Sequence, residues 1–372
     1  MGAVDLAVLG GGPAGATAAL GAARAGLRVA LFEPQSADAD KPCGEGILPS
    51  GADVLRELGL EHVLAQGCTL ERIRYVLLDG STLEVPLPRP GVSIERPVLG
   101  AALAEALARE PRIARVAARA TVRRLCEGSE GPEGFEVAAN STVVAARTLV
   151  VADGLQGDGA SWLRRPRGAA LRYGVRARAR ASAALERVEV HLGRESELYL
   201  TPLRDGRVNV AVLRTGLPDE SHSAEALLSA SLAEHPLAAP FLGAWVTPPE
   251  ARALSRRRPL RVARAGAFLA GDAAGGIDPV LGCGVALALA TGLEAGRAAA
   301  RVCARGSGAP ERDYARFVRR ESRLRRALAS GLVCLGARPR LQRGVARVLA
   351  GFPGLGRTIA RSVAGEARSA GP

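Results

Sequence analysis

The sequence predicts an α/β protein with a doubly wound parallel sheet, an inserted antiparallel β-sheet domain and a helical C-terminus. Short apolar runs typical of buried parallel strands end at glycine or an acidic residue in three places, Val4–Leu9, Thr148–Ala152 and Ala267–Ala270. Between the last two, the stretch from about 171 to 213 changes character, and Val208, Val210 and Val212 alternate there with Asn209 and Ala211, which is typical of an antiparallel sheet with one covered face. Beyond Pro310 the pattern is helical as far as Arg361.

The composition indicates a globular chain and gives no sign of a nucleic-acid partner. At 372 residues and 48% hydrophobic content, the chain is expected to bury one large core or two intermeshed ones. The formal net charge of +13 comes almost entirely from arginine, since Lys41 is the single lysine, and we attribute it to genomic base composition. Aromatic residues amount to only 3% and do not interleave with basic residues as in base-stacking platforms. Binding to nucleic acid is therefore not expected.

The cysteines predict neither disulfides nor a metal site. They form no C-x-x-C pair and no zinc-type cluster, which is typical of a reducing cytosol, and lie at positions 43, 68, 126, 283, 303 and 334. No basic region precedes the first apolar run, so we expect a strand there and not a signal peptide. No apolar stretch reaches the roughly 20 residues of a membrane-spanning helix. A cytoplasmic location is expected, with membrane association left open.

The N-terminal segment has the pattern of a dinucleotide-binding βαβ unit. Val4–Leu9 predicts a strand, Pro13–Ala25 an alanine-rich helix, and Leu27–Phe32 a second strand that ends on Glu33. The free N–H groups and partial positive charge of the helix N-terminus would face phosphates. Glu33 would accept hydrogen bonds from a ribose hydroxyl.

Glycines at fixed positions connect the first strand to this helix. Gly10 permits the tight turn, Gly12 lets the backbone approach a diphosphate, and Gly15 lets the helix pack close to the strand. Pro13 and Ala14 open the helix between them. We therefore assign all five residues to a cofactor-binding turn.

The loop after this unit has two interpretations. Lys41 is followed by Pro42, Cys43 and Gly44, and the loop contains two prolines and two glycines before a helix predicted from Gly51 to Leu58. An irregular segment at this place either lines a cofactor or is an ordinary surface loop. Local pattern alone favours neither.

The remaining elements follow from turn signals and periodicity. Asp79-Gly80 indicates a hairpin between Ile73–Leu78 and Thr82–Leu87. Helical spacing predicts helices at Arg96–Ala108, Ser223–His235 and from Gly284 to about Ala304. Strands are predicted at Val116–Leu125, Phe135–Ala139, Leu198–Pro202 and Val208–Leu213, with a polar, glycine-rich segment at 127–134.

Three motifs along the chain resemble the fingerprints of FAD-dependent oxidoreductases of the aromatic-hydroxylase fold. They are Gly10 to Gly15 with Glu33, then Asp153-Gly154, then Gly271-Asp272 with Gly282-Cys283-Gly284. The Pro42-Cys43-Gly44 loop and Asp278-Pro279 are most similar to the geranylgeranyl reductase and flavin halogenase branch. The resemblance extends to about residue 305. It implies an FAD-binding domain at 1–72, 94–165 and 259–305, a substrate domain at 73–93 and 166–258, and a helical region at 306–372.

The resemblance also implies roles for individual residues. Asp272 would accept from the flavin ribityl hydroxyls, and a helix opened by Gly282 and Gly284 would stabilise negative charge near the flavin N1. Arg96 resembles the family's flavin-contacting arginine, although a solvated side chain is the alternative. Cys43 either faces the flavin or is a packed small residue. The cofactor-binding residues expected in addition are Lys41, near a phosphate, and Gly44, Asp153, Gly271, Pro279 and Cys283.

The sequence departs from this branch at the substrate site. The branch carries an aromatic-x-Trp-x-apolar-Pro strand, but the stretch Glu197–Pro202 has a single aromatic residue, Tyr199, which with Cys43 is a catalytic candidate. Halogenation is disfavoured because the tryptophan is missing. We expect an enzyme of hydrophobic substrates, in the first place an NAD(P)H-driven monooxygenase of a secondary metabolite or lipid-like aromatic. The alternatives are saturation of isoprenoid double bonds and a non-catalytic flavin-binding protein.

Two further patterns lead to expectations about single residues and the C-terminus. The four histidines, His62, His191, His222 and His235, have no partner in the sequence that suggests catalysis and are taken as structural. Apolar stripes among arginines run through the C-terminal segment, at Leu324, Leu328, Leu332 and Leu335 and then at Leu341, Val345, Leu349 and Phe352. Such basic amphipathic helices either lie on an anionic membrane or cover their own domain.

Overall fold

The computed structural model describes residues 2–125, 134–155, 157, 159, 161–163, 172–216, 223–254, 259–336 and 338–365. The strands are β1 (Val4–Leu9), β2 (Val29–Phe32), β3 (Gly46–Ile47), β4 (Cys68–Val76), β5 (Thr82–Ser93), β6 (Ile113–Val116), β7 (Thr121–Leu125), β8 (Gly134–Ala139), β9 (Thr142–Val151), β10 (Arg172–Ala181), β11 (Val188–Leu192), β12 (Ser196–Leu203), β13 (Arg207–Thr215), β14 (Leu242–Trp245), β15 (Glu250–Leu254), β16 (Ala263–Arg264) and β17 (Ala267–Leu269). The helices are α1 (Pro13–Arg24), α2 (Pro49–Glu57), α3 (Glu61–Leu64), α4 (Arg96–Arg109), α5 (Ala224–Glu234), α6 (Gly284–Arg305), α7 (Ala309–Gly336), α8 (Pro339–Gly351) and α9 (Pro353–Ala364).

The first sheet is the predicted doubly wound parallel sheet. Its order is β16-β17-β9-β1-β2-β6, and the pairs from β17 to β6 are parallel. The antiparallel β7–β8 hairpin extends it from β9. The chain runs from β1 outward to β2 and β6 and then returns to the other side of β1 with β9. The strand order therefore reverses next to β1, which is where open α/β sheets bind their ligands.

Helices α1 and α6 pack so closely that side chains are excluded between them. A Cβ on Gly292 would collide with the Ala14 carbonyl oxygen, and one on Gly296 with the Ala18 carbonyl oxygen. Both contacts advance by four residues in the same direction, so the two helices run parallel. Because α6 begins at Gly284, eight residues before Gly292, its N-terminus extends about 10 Å beyond that of α1.

The second sheet forms the inserted β domain. Its order is β14-β10-β13-β12-β11-β4-β5-β3, with β15 on β10. All pairs are antiparallel except β4 with β11, because β4 comes from an earlier part of the chain and joins alongside. The sheet thus combines chain segments 46–93 and 172–254, and the predicted antiparallel character is confirmed for all but one pair.

The expectation of a sheet with one covered face is wrong for its central strands. Every residue of β12 is buried, and so are most of β13. One face packs under α5 through Leu227 and Leu228. The other face packs Tyr199 and Leu213 against neighbouring strands and Ala346 of α8. The central strands are therefore covered on both faces. Their alternating side chains point into two different packed clusters, and neither set points into solvent.

Most predicted elements lie within a few residues of the observed ones, and the differences have local causes. The strand expected at Val116–Leu125 is two strands, β6 and β7, which pair with different partners. The hairpin around Asp79-Gly80 is correct, but its strands β4 and β5 are longer than expected because they continue to pair with each other as far as Cys68 and Ser93, where β5 also pairs with β3. Most of the segment predicted at 127–134, Cys126 and His222 lie outside the described residues.

Candidate active site

Four parallel strands end side by side and bring the predicted motifs together. In the register of the sheet, Leu9 of β1 pairs with Phe32 of β2 and Val151 of β9, and Val151 pairs with Leu269 of β17. The residues that follow these strand ends are Gly10, Glu33, Asp153 and Asp272. Motifs separated by more than two hundred residues therefore lie along one edge of the sheet, at its carboxyl ends.

A cavity of about 820 Å³ opens at this edge and continues toward the second sheet. Its volume is in the upper part of the range for small-molecule sites, about 300–1,000 Å³. It is lined by nearly every residue predicted to bind the cofactor or to act in catalysis: Gly10, Gly12, Pro13, Ala14, Glu33, Lys41, Cys43, Gly44, Arg96, Asp153, Tyr199, Gly271, Asp272, Pro279, Gly282 and Gly284.

Two predicted residues lie behind the cavity wall. Gly15 packs its Cα against the Gly10 carbonyl, where a Cβ would overlap the oxygen, so it shapes the turn from behind. Cys283 is buried with Leu48, Val280 and Ala286, and burial raises the pKa of its thiol to about 11. Its side chain is a packing group, and its backbone forms the N-cap of α6.

The glycine turns leave room that a dinucleotide can occupy. Gly10 adopts a φ of 94°, which favours glycine, and a Cβ there would collide with the Ala152 carbonyl. Apart from adjoining backbone, no atom of the described residues lies within 4 Å of where a Cβ would stand on Gly12, Gly154, Gly282 or Gly284. The turns are thus tight on the protein side and open on the cavity side, which fits a bound FAD.

Two helix N-termini reach this cavity without a capping side chain. The N-cap residues of α1 and α6, Gly12 and Cys283, make no side-chain cap hydrogen bond. Their first-turn N–H groups therefore remain available to an anion, and both helix dipoles add positive potential. The offset of about 10 Å between the two helices allows α1 to face a diphosphate while α6 faces a more distant part of the same ligand.

Asp272 presents an unpartnered carboxylate to the cavity. Neither of its side-chain oxygens forms a hydrogen bond to any residue in the described part of the chain, and the residue is open to the cavity. Burial raises the pKa of Asp272, and the positive charges of Arg96 and Arg252 oppose that shift. An acceptor that lacks a protein donor suits the ribityl hydroxyls of a flavin.

Basic side chains collect on the opposite part of the same edge. Burial lowers the pKa of Lys41, Arg96 and Arg252 lower it further, and only Glu33 opposes them. The Arg96 Nε is buried without a hydrogen-bond partner among the described residues. Positive groups held this close favour an anionic ligand between them, as expected for a diphosphate.

The two other acidic residues are already engaged by backbone N–H groups. Glu33 accepts from Gly11 N at 2.6 Å and from Gln35 N at 2.9 Å, which leaves lone pairs free for a ribose. Asp153 accepts from Gly159 N at 2.9 Å. Both carboxylates therefore hold the turns that carry them and at the same time line the cavity.

The Cys43 loop is fixed by residues that sequence reasoning missed. Asn209 of β13 donates to the Cys43 carbonyl at 3.0 Å, and the Glu45 N–H lies 3.3 Å from the Cys43 Sγ. Glu45, which is buried at a φ of 59°, accepts from Arg96 N at 3.1 Å and is ion-paired with Arg178. Burial raises the pKa of Glu45, and the hydrogen bond from Arg178 opposes this. The loop lines the cofactor cavity, which answers the question that the local pattern left open.

The signal for these partners was present in β10. Arginines at 172, 176, 178 and 180 alternate with Val175, Ala177 and Ala179, so one face of the strand is basic and the other apolar. Arg176 and Arg178 both pair with Asp40 at 2.7 Å, one residue before Lys41. Arg176 and Arg178 therefore hold the start of the Cys43 loop against the second sheet.

The far end of the cavity is apolar with a small polar floor. Its wall comes from four strands of the second sheet and the strand β15 beside them, with side chains of Leu70, Ile73, Tyr75, Leu87, Val188, Val190, Ala211, Leu213 and Leu254. The Tyr199 hydroxyl is buried without a hydrogen bond among the described residues, and burial raises its pKa well above the usual value. Below it, Arg172 is ion-paired with Glu197 and with Asp278 at 3.3 Å.

Two of the four histidines, His191 and His235, have side-chain partners that the sequence did not suggest. His235 Nε2 lies 3.0 Å from the Ser196 Oγ, which donates to Glu234 at 2.6 Å, and His191 lies 3.3 Å from Glu189. The hairpin β11–β12 and the end of α5 bring these residues together. Ser196 is buried and does not line the cavity, so the cluster is structural, as expected.

The described residues contain neither a metal-binding cluster nor a helix that could span a membrane. Among the described residues, no group of three or more His, Cys, Asp or Glu side chains is arranged to hold a metal ion. No described helix combines the length and apolar character needed to cross a membrane.

This arrangement defines a flavoprotein oxidoreductase, and comparison with known proteins supports the same class. A family model described as FAD dependent oxidoreductase matches residues 5–37. The menaquinone reductase of Mycobacterium tuberculosis is 31% identical over 327 residues, which cover 80% of this chain and 76% of the relative. Digeranylgeranylglycerophospholipid reductase 1 of Methanothermobacter thermautotrophicus is 27% identical over 356 residues, covering 86% and 83%.

A solved structure shares the fold over nearly the whole chain. The flavin-dependent brominase Bmp2 superposes with a TM-score of 0.83 at 17% identity, covering 98% of this chain and 94% of that one. The chain belongs to the FAD-dependent oxidoreductases, in the family of this menaquinone reductase, and it shares its fold with the brominase. It is an enzyme that uses FAD.

Proposed function

We propose that this enzyme saturates a carbon–carbon double bond in the polyprenyl chain of a lipid. The apolar far end of the cavity carries the proposal, because aliphatic side chains of the second sheet line it and no hydrogen bond is needed to hold a hydrocarbon chain. The names of two relatives support it, since menaquinone and digeranylgeranylglycerophospholipids both carry polyprenyl chains. NAD(P)H is the proposed electron donor.

The residues at the cofactor edge would hold FAD at this cavity. Gly12 and the N-terminus of α1 would bind the diphosphate, Glu33 the adenosine ribose and Asp272 the ribityl chain. Bound and reduced FAD supplies the hydride equivalent that saturation of a double bond requires. The walls formed by the second sheet would keep water from the reacting carbons.

The chain itself must deliver a proton, since one carbon of the double bond gains a hydride and its neighbour a proton. Cys43 and Tyr199 are the candidates that line the cavity. We assign the step to the Cys43 thiol, because burial raises the pKa of Tyr199 and makes its hydroxyl a poor acid. The thiolate then regains its proton from water. Tyr199 is left to donate a hydrogen bond to a polar end of the substrate.

Monooxygenation, the first expectation from sequence, is the second candidate. It is favoured by the ion pair of Arg172 with Glu197, which puts charge into the strand where the branch carries an aromatic side chain. A phenol or a similar polar aromatic compound could use that polar floor.

Product analysis with and without oxygen distinguishes the two reactions. The purified enzyme would be given NAD(P)H, or dithionite if NAD(P)H fails to reduce the flavin, and a lipid with a polyprenyl chain. The proposal expects a product heavier by two hydrogen atoms in the absence of oxygen. Oxygen-dependent incorporation of an oxygen atom would instead show monooxygenation and overturn it.

A cysteine substitution tests the proton donor. Cys43→Ser should lower turnover by about 10²–10⁴-fold while flavin reduction by the donor stays unchanged. Cys68→Ser is the matched control, because Cys68 does not line the cavity. Equal turnover in the two variants would remove Cys43 from the mechanism.

A further inference from the structure

Helix α8 exposes an apolar stripe that leads to its C-terminal end. Leu341, Val345, Val348 and Phe352 are all exposed, with Phe352 at 66%, and they account for four of the eleven large apolar side chains exposed in the described residues. Their spacing of four, three and four residues places them on one side of the helix. We call these four residues the apolar stripe. Leu349, which sequence reasoning placed in this row, is half-buried, and Val348 takes its position.

The opposite side of α8 is anchored to the protein. Gln342 accepts from Leu78 N at 3.0 Å and donates to the carbonyl of Gly336 at 2.9 Å. Ala346 packs against the cluster that contains Tyr199 and Leu213. The helix therefore covers its own domain with one side and leaves the stripe uncovered, and contact with a membrane stays a prediction.

The charges beside the stripe all have one sign. From 338 to 365 the chain contains no aspartate or glutamate and six arginines, at positions 338, 340, 343, 347, 357 and 361. At about 100° per residue, Arg340 and Arg347 lie along one border of the stripe, whereas Arg343 lies on the side of the helix turned away from it. Arg343 approaches Asp79 only to 3.8 Å and remains half exposed. An apolar row with a basic border is the pattern of a helix that lies in a membrane interface.

The same helices pack behind the wall of the cavity, although none of their described residues lines it. Ala346 of α8 contacts the cluster that contains Tyr199 and Leu213, which line the cavity, and α9 packs Val363 against Leu48 and Val280. A surface docked through the apolar stripe would therefore lie next to the apolar part of the cavity.

We propose that α8 and its junction with α9 form a docking surface for an anionic phospholipid bilayer. The apolar stripe would enter the boundary between headgroups and acyl chains, and the arginines would contact lipid phosphates. A second copy of this chain is a poorer occupant, because a two-fold contact through this surface would bring arginines against arginines. The inference goes beyond the proposed function, and its test does not depend on which reaction the enzyme performs.

Flotation of the FAD-loaded full chain with lipid vesicles tests the proposal. Binding is expected to vesicles of phosphatidylcholine with phosphatidylglycerol, to weaken at high salt, and to be much lower with phosphatidylcholine alone. The variant Leu341→Ser/Val348→Ser/Phe352→Ser should bind at least about tenfold more weakly. Its matched control, Val143→Ser/Leu237→Ser/Leu260→Ser, removes three equally exposed apolar side chains elsewhere and should bind as the wild type does.

A charge variant separates the electrostatic part. Arg340→Gln/Arg347→Gln should weaken binding about fivefold for each arginine, whereas Arg312→Gln/Arg319→Gln on α7, with the same change in net charge, should not. Absence of wild-type binding to anionic vesicles, or equal binding by all variants, would overturn the proposal. So would a dimer in light scattering that the stripe variant converts to a monomer without any change in vesicle binding.

Turnover of a detergent-dispersed substrate keeps this test separate from that of the reaction. A stripe variant that loses vesicle binding but keeps turnover supports the docking surface. An enzyme that saturates no polyprenyl chain but still floats with anionic vesicles refutes only the proposed reaction.

Discussion

Gly12 and Gly15 lie three residues apart in one turn, yet their Cα atoms have different surroundings. The position of a Cβ on Gly12 is open to the cavity, whereas that on Gly15 is filled by the Gly10 carbonyl. The first glycine keeps space for a ligand and the second keeps space for the protein itself. Substituting alanine at each position in turn tests these two roles separately.

Gly15→Ala should destabilise the fold, and Gly12→Ala should mainly impair the cofactor. We expect Gly15→Ala to lose about 1–3 kcal/mol in the free energy of unfolding of the apoprotein, because backbone must move to admit the methyl group. Gly12→Ala should leave that free energy within about 0.5 kcal/mol of wild type but lower the FAD content. Urea unfolding of the apoproteins and the ratio of flavin to protein absorbance measure the two effects. A Gly12→Ala protein with full FAD content would contradict the assigned diphosphate site.

Some residues of the site could be read from the sequence and others could not, for a physical reason. The turns at Gly10, Asp153 and Asp272 are local, since each follows a strand directly and its chemistry depends on neighbours in the chain. Glu45 is different, because its partner Arg178 is 133 residues away and only tertiary contact makes the pair. Its buried carboxylate was therefore not predicted, although it lies inside the recognised loop.

At the level of elements, the hairpin β11–β12 and the end of α5 share a buried histidine cluster. Burial lowers the pKa of His235 to about 4, with Glu234 opposing and His191 and Arg214 adding to the shift. Hydrogen bonds from Ser196 and the Glu195 N–H help to keep the pKa of Glu234 low, against the effect of burial. The native cluster thus holds neutral His235 beside ionised Glu234.

Stability should fall as the pH is lowered from about 6.5 to 4. In this window the unfolded chain binds a proton at His235 and the native protein does not, so the unfolded state is favoured by up to about 2–3 kcal/mol. The stability is fully present above pH 6.5. His235→Gln, which cannot titrate, should show a smaller loss between pH 7 and 5 in urea unfolding, while His62→Gln on the surface should behave as wild type. Identical pH profiles for all three proteins would show that His235 is not the group responsible.

The predictions from sequence were least accurate for the lengths, partners and covered faces of the strands. The strands β4, β5 and β9 are longer than expected because the hairpin pairs β4–β5 and β8–β9 extend further along the chain, and apolar periodicity does not report such pairing. The sequence predicted the alternation in β13 but did not predict that both faces of the strand are covered. The covering helices, α5 and α8, come from later parts of the chain. Helices with their own internal pattern, such as α1, α4 and α6, were predicted to within two residues.

On the scale of the whole molecule, one ligand would connect segments from distant parts of the chain. The expected contacts to FAD come from residues 10–15, 33, 41–44, 96, 153 and 271–284, and these segments meet only at the edge of the first sheet. Binding to the native state alone must therefore stabilise the entire fold and not one lobe.

Thermal unfolding should depend on the FAD concentration. Free FAD at about 100 times its dissociation constant adds about 2.7 kcal/mol to the free energy of unfolding, which should raise the Tm by several degrees. Far-ultraviolet circular dichroism measures the transition without interference from flavin fluorescence. ADP, which fills only the adenosine and diphosphate part, should bind more weakly and therefore raise the Tm less than FAD does at equal ligand concentration. A Tm that does not change with FAD would mean that the three turns do not bind it together.

The parallel contact between α1 and α6 has a consequence for how the cofactor is acquired during biosynthesis. The ribosome produces α1 almost at once, but Gly292 and Gly296, which fit against it, are translated about 280 residues later. Until then the first βαβ unit lacks both the helix that covers it and the turn that carries Asp272. A nascent chain stalled before α6 would be expected to emerge without flavin, and incorporation of the vitamin-derived group would follow synthesis instead of accompanying it.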